Sequence, residues 1–208
     1  MGVAPSRRAL DVVVSVTGLV LLAPLMLLLA LVVRLSSPGP ALFRQRRVGS
    51  GRREFTMLKF RTMRVTHGGS EITARGDPRV TGVGALLRGT SLDELPQLLN
   101  VLRGEMTLVG PRPETPALAA RYPEDCRWVL DHRPGITGPT QVRLRDAAVL
   151  TGSGDDTERW YLEVLVPRRV ALDATYLDRP TLLATLVVLK DTALHLLGRP
   201  TPRARPAG

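Results

Sequence analysis

Residues 12–33, VVVSVTGLVLLAPLMLLLALVV, carry no charged side chain and are dominated by valine and leucine. At about 1.5 Å per helical residue, such a run reaches across a hydrocarbon core of about 30 Å. It is too long for a typical signal-peptide core, and no small-residue cleavage site follows it. Pattern alone favours a single-span anchor. Two features pull the other way. Pro24 stands in the middle, where it removes a helix hydrogen bond and bends the axis. Arginines flank both ends, Arg7 and Arg8 before and Arg34, Arg44, Arg46 and Arg47 after, so basic flanks assign neither end to the far side of a membrane. A helix broken at Pro24, entering and leaving by the same face, satisfies both features.

Outward from this segment, Ser36-Ser37-Pro38-Gly39-Pro40 is turn-forming and ends the helix. Residues 41–48 and 52–60 read as strands joined by Gly49-Ser50-Gly51, a hairpin. Alternation places Lys59 and Arg61 on one face and Leu58 and Phe60 on the other. A solvated basic hairpin beside anionic lipid accounts for most of its arginines. From His67 to Gly84 the chain is loop-like, and Ala85-Leu86-Leu87-Arg88 reads as a short helix. The glycine pair in Gly82-Val83-Gly84 lacks the third glycine and βαβ setting of a dinucleotide fingerprint.

In Ser91-Leu92-Asp93-Glu94-Leu95-Pro96-Gln97-Leu98-Leu99-Asn100-Val101-Leu102, the leucines at 95, 98, 99 and 102 have helical spacing. Ser91 and Glu94 form a capping-box pattern, although Pro96 then falls where its missing amide hydrogen is needed. With Asp93 as the cap, Pro96 sits harmlessly in the first turn. Both registers put adjacent carboxylates at a helix N-terminus, which favours their charged form and a bound phosphate. Capping and catalysis both remain open at this level. Val109-Gly110-Pro111-Arg112-Pro113 and Arg133-Pro134-Gly135-Ile136-Thr137-Gly138 read as rigid turns, presenting Arg112, Arg133, Arg143 and Arg145 on stiff supports. Residues 181–197 are amphipathic to apolar, and the last ten are rich in Pro and Arg and read as disordered.

The 208 residues suit one compact domain plus an anchor. A net charge of +10, from 29 basic and 19 acidic residues, fits phosphorylated ligands, anionic lipid or nucleic acid. An aromatic content of 4% weakens single-strand nucleic-acid binding, which relies on stacking platforms. Cys126 alone forms no internal disulfide, and His67, His132 and His195 make no zinc-spaced cluster, so a metal here would be magnesium on oxygen ligands.

Together these motifs resemble the bacterial sugar transferase family, the monotopic phosphoglycosyl transferases. The resemblance runs from Arg8 to about Val142. It covers Ser37-Pro38-Gly39-Pro40, Phe43-Arg44-Gln45, Lys59-Phe60-Arg61-Thr62-Met63, Asp77-Pro78-Arg79-Val80-Thr81, the Ser91 to Gln97 run and both Gly/Pro turns. It implies a mostly helical α+β fold: a re-entrant membrane helix over residues 1–36 with a break near Pro24, a cytosolic catalytic domain over 37–198 with a β-hairpin and membrane-surface helices, and a tail over 199–208. It further implies transfer of a sugar 1-phosphate from a UDP-sugar to undecaprenyl phosphate on the cytoplasmic face of the bacterial inner membrane, as the first membrane step of glycan assembly. Asp93 would be the nucleophile, forming a phosphosugar-aspartyl intermediate, and Glu94 the ligand of Mg2+. Lys59, Arg61, Arg88, Arg112, Arg145 and Asp173 would meet the substrates. No nucleic acid is expected as a partner, and a homodimer is compatible with the resemblance.

After Val142 the chain departs from the family pattern. Leu144 stands where a glycine usually precedes the arginine matched by Arg145, and Asp173 and Tyr176 match an Asp-x-x-Tyr only after an extra stretch around residues 146–170. Thr181 and Ala184 replace the Ser and Asp that usually follow, and the chain looks like a minimal form without extra N-terminal membrane helices. The alternative is a catalytically inactive, membrane-tethered basic scaffold that binds anionic lipid or nucleic acid and is indifferent to Asp93 and Glu94.

Overall fold

The computed structural model describes residues 2–64, 77–144 and 155–198. Helix α1 spans Pro5–Ser36 and runs unbroken through Pro24. It starts on Pro5, whose missing N–H is not needed in the first turn, and stops before Pro38, with Ser37 extended as a residue preceding proline should be. The break expected at Pro24 is absent as an interruption of helix. One lost hydrogen bond does not end a long run of Leu and Val. Pro24 also lies on the exposed side of α1, where its ring is relieved by opening the outer edge, so any bend carries both ends inward.

One stripe of α1 faces the rest of the protein along nearly its whole length. Arg7, Asp11, Ser15 and Val33 are buried, Leu10 and Leu19 pack on the cluster of Leu98, Val101 and Leu108, and Met26, Leu29 and Ala30 pack with Phe60 and Leu87. The opposite stripe, including Val13, Val20, Leu27, Leu31 and Leu35, is exposed. Asp11 accepts from Thr107 Oγ1 at 2.8 Å and Leu108 N at 2.9 Å, and Arg7 donates to Val109 O at 2.9 Å. At the other end Arg61 donates to Ser37 O and Pro38 O, both at 2.6 Å. Thus both ends of α1 are tied to one body.

The hairpin forms as expected: β1 (Leu42–Val48) and β2 (Glu54–Phe60) are antiparallel, with Leu42 opposite Phe60 and Val48 opposite Glu54. Its loop makes a tight turn over Ser50–Arg52, with Gly51 at φ 64, a left-handed value that favours glycine. The two-faced alternation does not hold, because Met57 and Leu58 are both buried and so is Arg61. Helix α2 (Gly82–Thr90) is longer than the helix expected there; Thr81 caps it by accepting from Gly84 N at 2.9 Å. Helix α3 (Gln97–Arg103) closes on Gly104 in the left-handed region.

The Gly/Pro turns flank a second, parallel pair of strands that the sequence did not announce: β3 (Thr107–Val109) beside β4 (Gly135–Thr137). A Cβ on Gly135 would lie 2.1 Å from Gly110 N, so the two backbones meet only because glycine is there. Helices α4 (Pro116–Ala120), α5 (Pro139–Arg143), α6 (Asp155–Trp160) and α7 (Val166–Leu177) follow, and α4, α7 and the turns between them build a second core of Leu118, Tyr122, Val129, Leu165 and Val166. A single π-helical turn, Tyr161–Leu165, precedes Pro167. Helix α8 (Leu182–Leu196), capped by Thr181, leaves Leu183, Leu186 and Val187 exposed. The 199–208 tail lies outside the described residues.

Candidate active site

Asp93 and Glu94 do not cap a helix. Ser91 takes a left-handed conformation at φ 59, Leu92–Glu94 form one 3-10 turn, and α3 starts after Pro96 with no side-chain cap. This removes both capping registers and leaves two adjacent carboxylates without that structural duty. The turn is pinned by its neighbours, since Leu92 and Leu95 pack against the cluster of Val33, Phe60 and Leu87.

Lys59, next to the end of β2, donates to Glu94 Oε1 at 2.8 Å in a largely buried pair. Asn100 sets that approach. It is fully buried, accepts from Leu58 N at 3.1 Å and donates to Thr56 O at 2.8 Å, locking β2 onto α3. Arg112 Nη1 stands 3.9 Å from the same Glu94 oxygen and is 41% exposed, so it faces both the carboxylate and solvent. Arg88, in the last turn of α2, donates to Thr62 Oγ1 at 2.9 Å and acts on Asp93 through space. Lys59, Glu94 and Arg112 line one cleft together with Arg47 and Gln97.

Asp93 is 7% exposed. Burial pushes its carboxyl above the ordinary value, with Lys59 and Arg88 pulling down and Glu94 pushing up. The helix-terminus argument favoured the charged form, and here desolvation outweighs it. The nearby Asp77–Arg79 pair, 2.6 Å apart, holds Asp77 down at about 2, with the Arg79 hydrogen bonds the main cause.

The remaining expected residues divide. Arg61 is 4% exposed and its guanidinium is committed to the carbonyls that end α1, which makes it an anchor of that helix. Arg133 lies among Arg7, Arg8 and Asp11, and Arg143 is exposed at the end of α5, so neither joins Arg112 at Glu94. Asp173 is buried on α7, and its Oδ1 accepts from Thr140 N at 3.2 Å and Thr140 Oγ1 at 2.7 Å. It lines a separate small cavity behind Arg112 rather than the Lys59–Glu94 cleft, and burial raises it to about 6. Arg145 lies outside the described residues, as does His67. Arg47, Gln97 and Asn100 were missed. Their one sequence signal was polar Asn100 inside an apolar helical run.

The bacterial sugar transferase profile matches residues 3–199. The chain belongs to the bacterial sugar transferase family. A relative from Caulobacter vibrioides, a UDP-glucose:undecaprenyl-phosphate glucose-1-phosphate transferase, is 45% identical over 197 residues, covering 92% of this chain and 69% of the relative. The Sinorhizobium fredii exopolysaccharide production protein ExoY is 36% identical over 206 residues, covering 90% of this chain and 83% of that protein. An Escherichia coli transferase of the same description as the Caulobacter protein is 45% identical over 141 residues, 65% of this chain and 30% of that protein. The alignment with this family member therefore spans most of the shorter relatives and less than a third of the longest one. As a sugar transferase, the chain has its Lys59–Glu94–Arg112 cleft beside an apolar helix long enough to cross a membrane.

Among the described residues, no three His, Cys, Asp or Glu stand together as a metal cage. Magnesium rarely uses one: it takes one or two carboxylates and fills its shell with water and phosphate oxygens. The Glu94 carboxylate, a hard oxygen donor lining the cleft, fits that habit.

Proposed function

We propose that this chain transfers a sugar 1-phosphate from a UDP-sugar to undecaprenyl phosphate through a covalent intermediate on Asp93. The observation that carries the reading is the approach of Lys59 and Arg112 to Glu94, beside a buried carboxylate that caps no helix. The Asp93 carboxylate attacks the sugar-bearing phosphorus and the bond to UMP breaks. The lipid phosphate then attacks the same phosphorus and regenerates the carboxylate. Donor and acceptor are both polyanions, so Lys59, Arg88 and Arg112 offset the repulsion between them and the nucleophile. Glu94 would hold magnesium, which would supply further neutralisation of the diphosphate. A lipid-binding scaffold requires none of these approaches.

Packing supports one membrane geometry. A crossing takes about 20 helical residues free of polar protein. The body touches α1 at Leu19 and again at Met26, and the two ends of the helix are tied to that same body, through Arg7 to Val109 O and through Ser37 O to Arg61. This supports a re-entrant helix whose exposed stripe enters the lipid while both ends stay on the cytoplasmic face.

The test is intact-protein mass spectrometry of the purified full chain mixed with magnesium and a panel of UDP-sugars, without acceptor. A sugar-phosphate adduct mapping to Asp93, with UMP released and neither seen in Asp93→Asn, is the expected result. UMP release by Asp93→Asn at the wild-type rate, with undecaprenyl phosphate present, would sink the reading.

A further inference from the structure

The transfer chemistry leaves one buried polar cluster unused. Glu114 is 4% exposed, two residues past Arg112, and four donors converge on its carboxylate. Tyr122 OH donates to Oε2 at 3.1 Å, Tyr161 OH donates to the same oxygen, Arg47 Nη1 donates to Oε1 at 3.4 Å, and Thr115 N donates to Oε1 at 3.0 Å. Arg169 Nη1 donates to Tyr161 OH, stands 3.8 Å from Glu114 Oε2 and stacks on the Tyr161 ring. A buried carboxylate is costly unless fully paired, and this one is.

The cluster grips the turn that bears Arg112. On the near side, Gly135 N donates to Pro111 O at 2.9 Å. On the far side, Val48 N donates to Glu114 O at 2.8 Å, and Arg47 Nη1 donates to Pro113 O at 3.3 Å. Arg112 sits at the apex between these holds. Arg47, fixed by Glu114 and by Gln45 Oε1 at 2.7 Å, is itself a wall of the cleft that holds Lys59 and Glu94. Tyr161 and Arg169 reach the cluster from the edge of the stretch that departs from the family pattern.

We propose that Glu114 is a positioning residue for the donor, orienting Arg47 and the Arg112 turn toward the diphosphate, with Tyr161 as its support. This rests on the transferase reading given above. Without the Glu114 carboxylate, the Arg47 and Arg169 guanidinia lose their shared buried partner, and Arg47 is no longer held against Pro113 O on the far leg of the turn, where the backbone bond from Val48 N remains.

The test is calorimetric titration of UDP with magnesium into the full chain in detergent micelles, beside thermal unfolding of the same samples. Glu114→Gln is expected to bind UDP about tenfold more weakly and Tyr161→Phe about threefold to tenfold more weakly, as loss of buried charge-assisted hydrogen bonds implies. Arg121→Ala, which breaks an exposed pair with Glu158, should bind as wild type does. A purely structural Glu114 would lower the unfolding temperature and leave the affinity of the folded fraction alone. Unchanged or tighter UDP binding in Glu114→Gln overturns the proposal. If that variant does not fold, Tyr161→Phe decides, and wild-type affinity there overturns it equally. Wild-type protein that takes up no UDP would refute the transferase reading and this inference with it.

Discussion

Asp11→Ala tests the packing on which the membrane geometry depends. Asp11 stands at the edge of the apolar run, 1% exposed, and ties α1 to β3 by accepting from Thr107 Oγ1 and Leu108 N at 2.8 and 2.9 Å. Each hydrogen bond to an ionised group contributes about 1.5–3 kcal/mol, and removing the acceptor leaves both donors buried without a partner. The loss comes to about 3–5 kcal/mol, a large part of the stability of a single domain. At about 2–4 °C per kcal/mol for a chain of this size, the unfolding temperature should fall by about 6–20 °C. The assay is thermal unfolding in detergent micelles followed by circular dichroism. Asp11→Asn, which keeps an acceptor oxygen, should lose about half as much, and Thr17→Ala, on the exposed side of α1, almost nothing. A fall of less than about 2 °C in Asp11→Ala would mean that the N-terminal half of α1 is not held on the body, and the same-face argument would lose its first anchor.

Two further outcomes follow from burial and charge. Lys59 is the largest influence lowering the Asp93 pKa against burial, so Lys59→Met should move the acid limb of the pH–rate profile for UMP release to higher pH; an unmoved limb would refute the role given to Lys59. Asp173 is raised from 3.8 to about 6 in the folded protein, so its ionisation opposes folding, with the penalty absent below about 3.8 and complete above about 6. Wild type should therefore lose urea resistance relative to Asp173→Asn as pH climbs through that window, and parallel curves would refute the assignment.

The sequence made the ingredients of the site legible and left their meeting unreadable. Asp93, Glu94, Lys59, Arg88 and Arg112 stand in motifs, but local pattern could not separate capping from chemistry at Asp93-Glu94. The left-handed Ser91 removes the capping registers, and its conformation comes from how α2 hands over to the next turn. Arg47 read as one of several arginines on a basic strand. What distinguishes it is Glu114, 67 residues later, brought beside the end of β1 by the bond from Val48 N to Glu114 O. Asp11 marked the boundary of an apolar run and proved to be an anchor inside the protein. Gly110 and Gly135 read as turns; that they let two strands touch is a long-range fact that neither turn encodes.

Under the proposed mechanism, the same packing would hold Asp93, as nucleophile, at the membrane surface. Asp93 follows Leu92 directly, and Leu95 comes two residues later; both lie against the cluster that Met26, Leu29, Ala30 and Val33 of α1 build with Phe60 and Leu87. The reactive carboxylate is thus attached to the most apolar half of the helix through its own neighbours in sequence. With the exposed stripe of α1 in lipid, the depth of the helix sets the height of Asp93 relative to the headgroups. A lipid phosphate confined to that layer would then meet the proposed intermediate by lateral motion alone, which would remove much of the translational entropy cost of a two-substrate reaction. Lys59 and Arg88 face the same carboxylate electrostatically, so the charge needed to draw two polyanions together is fixed at that depth as well. In the proposed mechanism, anchoring and catalysis therefore share one packing problem in the second half of α1, where the cluster that seats Met26, Leu29, Ala30 and Val33 also seats Leu92 and Leu95 on either side of Asp93.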